Sequence, residues 1–219
     1  MKKTLILILI AIGGTFSVKA QTQKGNQLLG GFLGFSTGSG TNNYTNGQNG
    51  TNSTDKTSSF SIGPSYSYFI ANNLDLGASI GYTDQKTNYS YLRPPASNAP
   101  LVYDSRSFAS SIYLRKYFLY NGKIGIRTGP YAQYFFTKSD QNYIDPASNY
   151  NYQIRSINAG LGLDLVYFPT KKLGLSSSIG SLAYNHSTSN QTYVQTKSDS
   201  FALNLSSAVN LSIFYSFGK

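Results

Sequence analysis

From Ser200 to Phe217 almost every second residue is apolar. Phe201, Leu203, Leu205, Val209, Leu211, Ile213, Tyr215 and Phe217 share one face, interrupted by Ser207. The opposite face carries Ser200, Ala202, Asn204, Ser206, Ala208, Asn210, Ser212 and Ser216, with Phe214 as its exception. A period of two is the signature of a β-strand, and this one is long enough to cross a bilayer at a tilt. Similar faces occur as Phe60, Ile62, Tyr66, Tyr68, as Leu74, Leu76, Ala78, Ile80, Tyr82, and as Ile157, Ala159, Leu161, Leu163, Leu165, Tyr167. A soluble barrel would set Lys, Glu, Asp and Arg opposite such faces. Here the other face is small and weakly charged, as in Ser59, Ser61, Gly63, Ser65, Ser67 and in Gly77, Ser79, Gly81. Small residues suit the inside of a narrow barrel, so the large apolar face must point outward, where lipid tolerates it.

Punctuation supplies the topology. A Tyr-Phe pair precedes a tight turn at Tyr68-Phe69, Tyr117-Phe118 and Tyr167-Phe168, and Tyr215 with Phe217 closes the chain at a similar interval. These eight rings are expected to form an aromatic girdle at the periplasmic rim, since an aromatic body is apolar and a phenol tip is wet. Short turns fall near 70–73, 120–123 and 169–172, and long polar stretches near 38–57, 86–104, 139–151 and 187–198. Short and long alternate throughout. The expected fold is therefore all-β: an eight-stranded antiparallel up-and-down transmembrane β-barrel, with both termini on the short-turn side. The first strand, near 26–37, is Gly-rich and its facing stays open.

Met1-Lys2-Lys3, the apolar run Leu5 to Ile12, and Val18-Lys19-Ala20 before Gln21 describe a secretory signal peptide over residues 1–20, leaving 21–219 as the barrel domain. The chain has no cysteine, so an N-terminal lipid-anchored cysteine and stabilising disulfides are both excluded. The formal charge of +10 falls to +7 once Lys2, Lys3 and Lys19 are set aside, and the remaining basic residues are scattered. A nucleic-acid footprint would cluster, so nucleic acid is not an expected partner. Attraction to outer-membrane lipid headgroups or lipopolysaccharide competes with an unspecialised surface as the meaning of the excess.

The stretch from Pro64 through Tyr68-Phe69, Asn72-Asn73 and Leu74-Asp75-Leu76-Gly77 resembles the hairpin of small outer-membrane β-barrel proteins of Bacteroidota. The repeats at Tyr117-Phe118 and Tyr167-Phe168 look like the same device, and size and strand count are similar to the OmpX/OmpA type of narrow barrel. Asn210, Ser212, Tyr215 and Phe217 resemble the C-terminal signal read by the barrel-assembly machinery, with Ser212 where glycine is usual and Gly218-Lys219 appended. The resemblance implies a bacterial outer-membrane location with long loops outside. It brings no catalytic residues.

Four charges are expected to face the lumen: Asp75, Arg115, Arg127 and Asp164. Symmetry about Asn121 predicts Arg115 directly opposite Arg127, with Asp75 and Asp164 on the flanking strands as partners. A mixed ion network should plug the periplasmic half, because buried charges persist when paired. Lys116 is expected either to snorkel from the lipid face toward headgroups or to turn inward at a bulge. His186, the sole histidine, has Ser187 and Ser189 nearby and Asp199 as a candidate acid, but no Glu exists and no catalytic set is expected. One histidine, no cysteine and separated aspartates leave no metal or cofactor expectation. Functional weight falls on the long loops, whose Tyr44, Tyr89, Tyr91, Tyr103, Tyr143, Tyr150, Tyr152 and Tyr193 sit among Asn, Ser, Thr and Gly. Such mixtures make adaptable surfaces for a protein or glycan ligand. The expected role of this monomer is structural or surface interaction; a narrow pore is the alternative, and a lipid A-modifying enzyme follows behind it.

Overall fold

The computed structural model describes residues 21–44, 51–91, 99–191, 194–205 and 211–218; the signal peptide expected over 1–20 lies outside them. The described strands are β1 (Gln27–Tyr44), β2 (Thr51–Ala71), β3 (Leu74–Tyr91), β4 (Pro100–Tyr120), β5 (Ile124–Tyr143), β6 (Tyr150–Tyr167), β7 (Leu173–Gln191), β8 (Gln195–Leu205) and β9 (Leu211–Phe217). From β1 to β7 each pairs antiparallel with the next. Both β8 and β9 pair with β7, and β9 also pairs with β1, from Gln27↔Phe217 to Gly31↔Ile213. The sheet thus returns to its own start as a ring of 8 hydrogen-bonded strands, the last position shared by β8 and β9. Beyond Gly31, among the described residues, β1 has no pairing with β8.

Alternation places the bulky apolar residues outside. Leu33, Phe35, Ile112, Phe201, Leu203 and Leu211 are each more than 60% exposed, which no inward position of a barrel this narrow would allow. The outer belt runs from Phe108 to Tyr120 on β4 and from Ile124 to Phe136 on β5. Inside, the small residues give room to a few large ones. A Cβ on Gly174 would lie 1.9 Å from the Phe214 ring, so only glycine lets that ring cross the lumen there. The open question of β1 resolves with Leu28 inside and buried, Leu29, Leu33 and Phe35 outside, and Phe32 lying against Gly63.

The expected long loops are a correction. The strands run 18–21 residues in β1–β6, well beyond the roughly 9–11 needed to cross a bilayer at a tilt. The pairing continues to Tyr44↔Thr51, Pro100↔Tyr143 and Tyr152↔Gln191, so most of the stretches expected as loops are barrel wall. Backbone ladders need no apolar side chains, and hydroxyl rungs reinforce them: Thr57–Thr87 at 2.9 Å, Ser107–Thr137 at 2.8 Å and Ser105–Ser139 at 3.0 Å. Between β5 and β6 a single 3-10 turn, Pro146–Ser148, is capped by the Asp145 carboxylate accepting from the Ala147 N–H.

At the other end the connections are tight. Asn72 and Asn73 join β2 to β3, and residues 121–123 join β4 to β5. Asn73 (φ 60°), Asn121 (φ 50°) and Gly122 (φ 67°) adopt the left-handed conformation that such turns require. Asn121→Ala is expected to cost about 1 kcal/mol, because asparagine's short polar side chain eases the left-handed conformation through local hydrogen bonds that alanine lacks, read as a lowered urea midpoint; an unchanged midpoint would show the turn tolerates alanine.

Candidate functional site

The turn end of the barrel is closed by three layers. Outermost, the segment preceding β1 crosses beneath the ring. Gly25 N–H donates to Phe69 O, Phe69 N–H to Asn26 O, Asn73 N–H to Thr22 O, and the Gln21 amide reaches the Thr170 carbonyl. Gln21, Thr22 and Asn26 are buried there. Above them lies an aromatic plate of Phe69, Tyr117, Phe168 and Phe214, packed with Leu28 and Val166. Its rings meet at 5.4 Å (Phe69–Tyr117), 6.5 Å (Tyr117–Phe168) and 5.4 Å (Phe168–Phe214).

The plate corrects the expected girdle. Neighbouring residues on a strand face opposite sides, so one member of each Tyr-Phe pair must point inward. Phe69, Tyr117 and Phe168 do so and are buried. Tyr68, Phe118 and Tyr167 take the outer face, alongside Tyr215 and Phe217. Phe214, the one large residue on the small face of its strand, is the sequence signal for the plate's fourth ring.

The third layer is ionic. Asp75 is fully buried and accepts from Arg115 Nη2 at 2.6 Å, Arg115 Nε at 3.1 Å, Ser67 Oγ at 2.7 Å and Tyr117 Oη at 3.1 Å. Arg127 Nε donates to Asp164 at 2.7 Å, Nη2 to Ser176 Oγ at 3.0 Å and Nη1 to Tyr117 Oη at 3.3 Å. Asp75↔Arg115 and Arg127↔Asp164 are register partners on adjacent strands. Arg127, however, stands opposite Tyr117 and not opposite Arg115, which corrects the expected facing cations. The turn centre lies one residue later than assumed, because Tyr120 pairs with Ile124 across three turn residues. The Tyr117 phenol therefore stands between the two ion pairs, accepting from one and donating to the other. Two arginines and two aspartates leave the layer formally neutral. The Arg115 guanidinium also lies 3.8 Å over the Tyr113 ring, and Arg127 lies 5.7 Å from Phe214.

Above this floor the lumen opens into a cavity of about 420 Å³, lined by Tyr113, Arg115, Arg127, Tyr131, Gln133 and Asp164 among small residues. Toward the loop end its wall becomes tyrosine-rich. Six candidate loop tyrosines, Tyr89, Tyr91, Tyr103, Tyr143, Tyr150 and Tyr152, lie on β3–β6 and not in loops. Tyr103 shares hydrogen bonds with Tyr152 at 3.1 Å and Ser139 at 3.3 Å; Tyr91 donates to Pro100 O at 2.7 Å. Tyr143, Tyr150 and Tyr152 form a stack with centroids 5.9 and 6.1 Å apart. Tyr44 ends β1, while Tyr193 lies outside the described residues.

On the outer face, His186 Nδ1 contacts Asp199 Oδ1 at 2.7 Å, and Tyr184 Oη donates to the same oxygen. Ser187 and Ser189 alternate to the other face of β7, so they do not converge on this histidine. Lys116 stays on the outer face beside the turn, its Nζ 3.4 Å from Asn72 O, with no bulge turning it inward. Among the described residues no cluster of metal-ligating side chains occurs. Of the assembly signal, Ser212, Tyr215 and Phe217 lie on β9, the strand that closes the ring, and Asn210 lies outside the described residues.

No family model and no curated protein matches the chain. Among solved structures, it is similar to the outer membrane protein OprG from Pseudomonas aeruginosa. That similarity has 12% identity, covers 91% of this chain and 99% of OprG, and has a TM-score of 0.44.

Proposed function

We propose that this chain is a monomeric integral protein of a bacterial outer membrane, with both termini periplasmic and the strand extensions at the cell surface. Its role on this reading is structural or surface-interacting, without catalysis. The observation that carries the reading is the pairing of a closed floor with an outward apolar belt. Exposed side chains such as Leu33, Ile112 and Leu203 give the wall an outward apolar face that water would not favour and a bilayer would. Tyr215 and Phe217 on the closing strand suit recognition by the barrel-assembly machinery. The tyrosine-rich inner wall at the far end offers aromatic faces and hydroxyls to a glycan or protein ligand.

The cavity of about 420 Å³ supports a narrow pore as the second reading. Planar-bilayer recording of the purified protein separates the two. The closed floor predicts no steady current, and sustained conductance would overturn it. Arg127→Ala removes hydrogen bonds to Asp164, Tyr117 and Ser176. It is expected to lower the unfolding midpoint while current stays absent, because the aromatic plate and the N-terminal segment still cover the opening; a current in this variant alone would assign the seal to the ion network.

A further inference from the structure

The outer wall carries charges just beyond the apolar belt, and they are unevenly matched. On β3 and β4, Arg106 is held by Asp84 at 3.6 Å and Asp104 at 3.2 Å. On β5, β6 and β8, Lys138, Arg155 and Lys197 are exposed. Among the described residues none of these three has a carboxylate within ion-pair distance. Register brings them together on the outer face. Arg155 pairs with Thr188, and Thr188 with Lys197, so the two cations flank one hydroxyl. Two strand spacings separate them by about 10 Å. Lys138 is the diagonal neighbour of Arg155, since Phe136 pairs with Arg155 and Lys138 with Gln153.

A second feature lies toward the belt from these cations. The small residues Ala78, Ser110 and Ala132 leave a furrow in the outer wall, bordered by Ile112, Tyr134 and Ile157, with a volume of about 400 Å³. Arg155 is the next outward residue after Ile157 on β6, about 7 Å along the strand. Tyr134, Phe136 and Lys138 rise in the same direction on β5. The Arg155 guanidinium rests 5.9 Å from the Phe136 ring, which leaves its hydrogen-bond edge available. Asp140 and Asp199 are the next outward residues after Lys138 and Lys197, yet neither closes an ion pair with them. An apolar furrow leading to these exposed cations thus has the shape and charge of a seat for an acyl chain below an anionic head.

We infer that Lys138, Arg155 and Lys197 bind the phosphate of a membrane lipid whose acyl chain lies in the Ala78–Ser110–Ala132 furrow. Guanidinium and ammonium groups supply charge-assisted bonds to phosphate oxygens, with Arg155 as the forked donor. The Thr188 hydroxyl stands between the two flanking cations as a further donor. The inference rests on the membrane-barrel reading above.

The test uses the full chain reconstituted in phosphatidylcholine bilayers, with spin-labelled phosphatidylglycerol or phosphatidylcholine reporting the motionally restricted lipid. The wild type is expected to restrict phosphatidylglycerol several-fold more than phosphatidylcholine. Lys138→Ala/Arg155→Ala/Lys197→Ala should bring that ratio close to one, and Lys171→Ala, an exposed cation in the β6–β7 turn at the opposite end of the barrel, should leave the ratio near wild type. Ala132→Phe fills the furrow with every cation kept, and should lower the ratio by weakening chain seating. Heat-dependent gel mobility verifies that each variant folds, and none of these positions lies in the floor. Millimolar inorganic phosphate should not abolish the preference; full displacement by it would mark a free-phosphate site and overturn the lipid assignment. A wild-type ratio of one in a properly inserted barrel overturns this inference alone. Failure to insert into neutral bilayers overturns the membrane reading and this inference with it.

Discussion

Alanine at Asp75 is expected to destabilise the barrel by about 3–5 kcal/mol, the cost of leaving one member of a buried pair alone. Asp75 is fully buried and receives hydrogen bonds from three side chains. Removing it strands the Arg115 guanidinium in a narrow space and leaves the Ser67 and Tyr117 hydroxyls without their acceptor. Equilibrium urea unfolding in detergent micelles would read the loss. The decisive comparison is Asp75→Ala/Arg115→Met, which removes both charges and should recover much of the deficit. If the double variant is as unstable as the sum of the singles, the two groups are not coupled and the ionic layer is not a unit.

Phe168→Ala should cost a similar about 3–5 kcal/mol, as a large ring lost from a packed site does. Phe168 is fully buried between Tyr117 and Phe214. Its neighbour Tyr167 is on the outer face, and Tyr167→Ala should cost about 1 kcal/mol, near the centre of the range for single substitutions. The same unfolding measurement applied to the adjacent pair tests whether the plate or the outer girdle holds this end together. Equal losses would place the two faces on the same footing and contradict the plate.

Strand facing was readable in Ser200–Phe217 because a narrow barrel forces large residues out and small ones in, a constraint that acts on each residue separately. The partners Asp75–Arg115 and Arg127–Asp164 were readable for the same reason: adjacency between neighbouring strands tolerates small errors in register. The facing of Arg127 and Tyr117 was not, since it depends on whether the hairpin is centred on Asn121 or on Gly122. Tyr117 therefore escaped notice as the link between ion pairs. The wall beyond the belt was also illegible. Thr57, Thr87 and Ser139 have the composition of a loop, and only cross-strand pairing reveals them as rungs. The Tyr-Phe pairs lie beside the tight turns, but adjacency on a strand meant that half of each belonged to the interior.

The ring is joined where the beginning and the end of the chain meet, over the short register from Gln27↔Phe217 to Gly31↔Ile213. The segment beneath it bonds to Asn73 and reaches Thr170, so the first residues of the barrel domain need partners from two distant turns. Contacts of such long sequence separation form late and slowly, because the intervening chain must surrender its freedom first. Until β9 arrives, β1 is an open edge carrying Leu29 and Leu33 beside unpaired backbone, a surface prone to pair with other chains. A chain truncated before Leu211 would therefore accumulate as an aggregation-prone sheet. The short β1–β9 register is thus the contact on which closure of the whole ring depends.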